Sequence, residues 1–74
     1  MITEFMKLTT YNDAKHWASE WLGDMSWEGR EDDERILADY LWKHFSGQHA
    51  YEINKQLPDD IFLVIELERS KGVV

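Results

Sequence analysis

Residues 13–22 carry the pattern that most narrows the fold: Ala14, Trp17, Ala18, Trp21 and Leu22 fall at i, i+3, i+4, i+7 and i+8. That spacing lines one face of an α-helix, whereas a strand would need alternation with period two. Thr10 and Asp13 stand three apart just before the stripe, as in a capping box where hydroxyl and carboxylate satisfy amides that the helix start leaves unpaired. Gly23 follows at the place where a chain leaving a helix adopts positive φ.

A second helix is predicted over about 30–45, where Ile36, Leu37, Tyr40, Leu41 and Phe45 recur at helical spacing. Asp32, Asp33 and Glu34 lie in its opening turns, Lys43 and His44 in its last turn, and Gly47 just beyond, all favourable to the helix dipole or to helix termination. A shorter third helix is predicted over 49–57, with Ala50, Ile53, Asn54 and Leu57 on one side before Pro58 interrupts it. Residues 59–70 support two readings. Pro58, Asp59 and Asp60 resemble a helix opening and Arg69 to Gly72 a helix close, yet Ile61, Leu63, Ile65 and Leu67 alternate as in a strand. Residues 2–8 are equally open.

Seventy-four residues hold one core, so the elements are read as a single compact domain over 1–74. The expected fold is all-α, a small bundle of three to four short helices. The alternative is α+β, with a two-stranded sheet formed by the N-terminal segment and residues 61–68, an arrangement that is marginal unless helices or a partner chain cover it. The longest apolar run, Ile61 to Ile65, is far below the roughly 20 residues that cross a bilayer. Met1 to Met6 lacks the basic and long apolar stretches of a secretory leader, which predicts a cytoplasmic protein.

With no cysteine, the chain has no disulfide framework, thiolate nucleophile or thiolate metal site. His44, His49 and Glu52 match no established ligand spacing, and His16 with Glu20 four residues on reads as a surface helix pair. Asp32-Asp33 and Asp59-Asp60 are adjacent, and adjacent helical positions point apart, so the dipole at two helix openings accounts for them better than acid–base or Mg²⁺ chemistry does. No phosphate loop, nucleophile elbow or zincin helix occurs. The expectation is a non-enzymatic protein without metal or cofactor.

The formal charge is −7, and its distribution matters more than its size. Between residues 20 and 35, Glu20, Asp24, Glu28, Glu31, Asp32, Asp33 and Glu34 face only Arg30 and Arg35: seven acids against two arginines, an excess of five. Such a segment repels nucleic acid and anionic membrane, both of which require Lys and Arg, and complements a basic protein surface. Of the four tryptophans, Trp17 and Trp21 lie on the inward stripe; Trp27 falls among Asp24, Ser26, Glu28 and Gly29, and Trp42 beside the Leu37–Leu41–Phe45 row. Each of Trp27 and Trp42 suits either a contact anchor or a cover over the core.

The expected partner-binding residues are therefore Glu20, Asp24, Trp27, Glu28, Glu31, Asp32, Asp33, Glu34 and Trp42. Carboxylates three or four apart on a helix stand about 5–6 Å from one another, comparable to successive phosphates along a nucleic-acid strand, so the array suits the basic nucleic-acid-binding site of a host protein. In size, acidity, lack of cysteine and lack of a catalytic motif the chain resembles the small phage-encoded inhibitors of host defence, the anti-restriction and anti-CRISPR proteins. That resemblance implies an inhibitor that mimics nucleic acid. The alternative is a small homodimeric structural or regulatory subunit with an apolar interface at residues 61–67.

Overall fold

The computed structural model describes residues 3–23 and 31–72. Among these residues four helices follow one another: α1 (Tyr11–Leu22), α2 (Glu31–Phe45), α3 (Ala50–Gln56) and α4 (Ile61–Gly72). The small all-helical bundle is thus the observed architecture, with no strand among the described residues.

Thr10 is the N-cap of α1 in extended conformation. Its hydroxyl accepts from the Asp13 amide at 3.1 Å, and the Asp13 carboxylate accepts from the Thr10 amide at 3.0 Å. The Thr9 hydroxyl and amide donate to the same carboxylate, and these bonds, led by the hydroxyl, lower the Asp13 pKa. At the other end Gly23, at φ 78°, turns its amide back onto the carbonyls of Ser19 and Glu20. A side chain there would meet open space but would strain the backbone.

The core forms where α1 packs against α2 and α4 packs against α2. Trp17, Leu37, Leu41, Ile53, Ile65 and Leu8 are its largest fully buried side chains. Trp21 lies half-buried against it, its ring 5.4 Å from that of Trp17. On α3, Ala50 and Ile53 are buried, and Leu57 just after it, but Asn54 is exposed: the polar amide stays in water although its spacing placed it inside.

The segment before α1 is neither helix nor strand. Lys7 forms one isolated antiparallel bridge with His49, the Leu8 amide donates to Gln48 O at 2.9 Å, and Leu8 O accepts from Gly47 at 2.6 Å. Ala50 donates to Met6 O at 2.7 Å. Gly47, at φ 85°, makes the turn that presents these groups, and Leu8 is drawn fully into the core.

The alternative sheet is overturned, because residues 61–68 lie within α4. Asp60 opens that helix: its carboxylate accepts from the amides of Phe62 and Leu63 at 3.1 and 3.2 Å. Helix lets the adjacent pair Val64 and Ile65 both reach the core, with Ile61 half-buried one turn before, which a strand alternating sides would not allow. No helix among the described residues is long and apolar enough to cross a membrane.

Candidate partner-binding surface

The opening turn of α2 distributes its four acids around the helix, since successive residues are turned by about 100°. Glu31 and Asp32 are exposed, and Asp33 and Glu34 are half-buried. Asp33 points toward α4, where the Arg69 guanidinium donates to its carboxylate. Asp32 lies 3.3 Å from Arg35 on its own helix, with its side chain 77% exposed. Glu31 and Glu34, three apart, share a shallow depression with Asp32, Arg35 and Lys15 of α1. Neither forms an ion pair with a described residue.

Glu20 is half-buried near the end of α1, with its carboxylate 3.7 Å from the His16 imidazole. Asp24, Trp27 and Glu28 lie outside the described residues. Trp42 is half-buried against the core, its ring edge-on to Tyr11 at 6.4 Å between centroids. Of the nine expected positions, then, Glu31, Asp32 and Glu34 share a surface. Asp33 is turned to the α4 side and Trp42 is part of the cover over the α1–α2 contact.

Two charged features escaped the sequence reading. The Tyr11 hydroxyl donates to the Asp39 carboxylate, joining α1 to α2, and this bond, with partial burial and the Asp39 charge, pushes the phenol up to about 12. A groove of about 380 Å³ runs between α2 and α4, where Asp32, Arg35, Asp39 and Lys43 face Glu68 and Arg69. The signal was present: Asp32, Arg35, Asp39 and Lys43 recur at i, i+3, i+7 and i+11, a row of alternating sign along one helix face. Glu68 also accepts from the Lys71 ammonium at 3.0 Å.

Among the described residues no three His, Asp or Glu side chains stand close enough to hold a metal ion. His44 instead packs against Tyr40, with ring centroids 4.5 Å apart and the planes tilted by 42°. No family model, curated protein or solved structure matches the chain.

Proposed function

We propose that the protein is a non-enzymatic binding module that docks the acidic opening of α2 on a basic surface of another protein, of the kind that otherwise binds nucleic acid. The observation that carries this reading is the group Glu31, Asp32 and Glu34, held within one helical turn at the surface in a chain of formal charge −7. Carboxylates so placed act at a distance on a Lys- and Arg-lined channel, steering the encounter, and resist burial in anything but a cationic partner. Asp33 serves the fold through Arg69 and Asp32 is partly offset by Arg35, so Glu31 and Glu34 bear most of the docking charge in this reading. A small inhibitor of the phage-encoded type, occupying the nucleic-acid site of a host defence protein in the cytoplasm, is the class that fits this chemistry.

Affinity capture from lysate of the host, followed by competition in the purified pair, tests the proposal. The expected result is a basic partner that releases its DNA or RNA when this chain is added, and whose binding weakens steeply as salt rises. The variant carrying Glu31→Lys, Asp32→Lys and Glu34→Lys should lose binding with its helical circular dichroism unchanged; Glu31→Gln with Glu34→Gln serves if three lysines at a helix start perturb folding. Unaltered binding by a folded variant, or capture that holds as firmly in high salt, overturns the proposal.

A further inference from the structure

We draw no further inference here: the strongest candidate, the exposed row of Leu63 and Leu67 on the outer side of α4, is bounded by charges already engaged within the chain, Asp60 at the helix start and Lys71 on Glu68, and nothing in the structure shows what covers it.

Discussion

α1 and α4 are each twelve residues long, α1 opened by the Thr10–Asp13 box and α4 by the Asp60 carboxylate, yet they deal with apolar surface in opposite ways. α1 gathers Ala14, Trp17, Ala18 and Leu22 on one buried stripe and leaves the rest of its circumference largely polar. α4 buries only Val64 and Ile65 completely and carries Phe62, Leu63 and Leu67 outward. Segregation makes α1 self-explanatory within one chain. The absence of segregation makes α4 a helix that buries one side in the core and leaves Leu63 and Leu67 about half in water on the other.

Trp17 is the largest fully buried side chain of the α1 stripe. Trp17→Ala should cost about 3–5 kcal/mol, enough to unfold a domain this small, as read by urea denaturation. A loss below about 1 kcal/mol would show that the α1 stripe does not anchor the core. The caps come next: Thr10→Ala and Asp60→Ala should each cost about 1 kcal/mol in the same assay. A loss at Asp60 well below that at Thr10 would mean that α4 is held by Val64 and Ile65 with little help from its start.

A smaller effect concerns the tie between α1 and α2. Because folding raises the Tyr11 pKa from 10.0 to about 12, the bond to Asp39 contributes fully below pH 10 and is lost as pH climbs through about 12. The melting temperature of the wild type should therefore fall toward that of Tyr11→Phe over this window, and parallel curves would refute the assignment. Asp13 titrates with the opposite sign: its lowered pKa makes its contribution present near neutrality and lost in acid. The smallest effect is expected at Leu67→Gln, within about 0.5 kcal/mol in dilute protein, since that side chain is already half in water. A larger loss would sharpen the contrast differently, by showing that the outer row of α4 supports the monomer.

Legibility in the sequence followed the same division. Where apolar residues are segregated, as in α1 and α2, spacing and capping residues located the helices to within two residues, and the Thr10–Asp13 box formed as expected. In α4 the alternation of Ile61, Leu63, Ile65 and Leu67 competed with helix signals at both ends, because a helix apolar on several sides has no unique period. Leu8 was unreadable for another reason: what buries it is backbone pairing with Gly47 and Gln48, about which side-chain patterns carry no information. The candidate surface was legible as composition only. Which acids remain outward depends on long-range partners, such as Arg69 for Asp33, that no local spacing discloses.

The bonding of Leu8 to Gly47 and Gln48 also sets an order of assembly. A ribosome that has released Leu8 must deliver every residue through Gln48 before these two backbone bonds can form, so α1 can coil early while the segment leading into it waits. Cutting the chain within the α2–α3 turn would strand this segment even with both neighbouring helices intact, and protease sensitivity of nascent chains arrested before and after Gln48 would register the moment it locks.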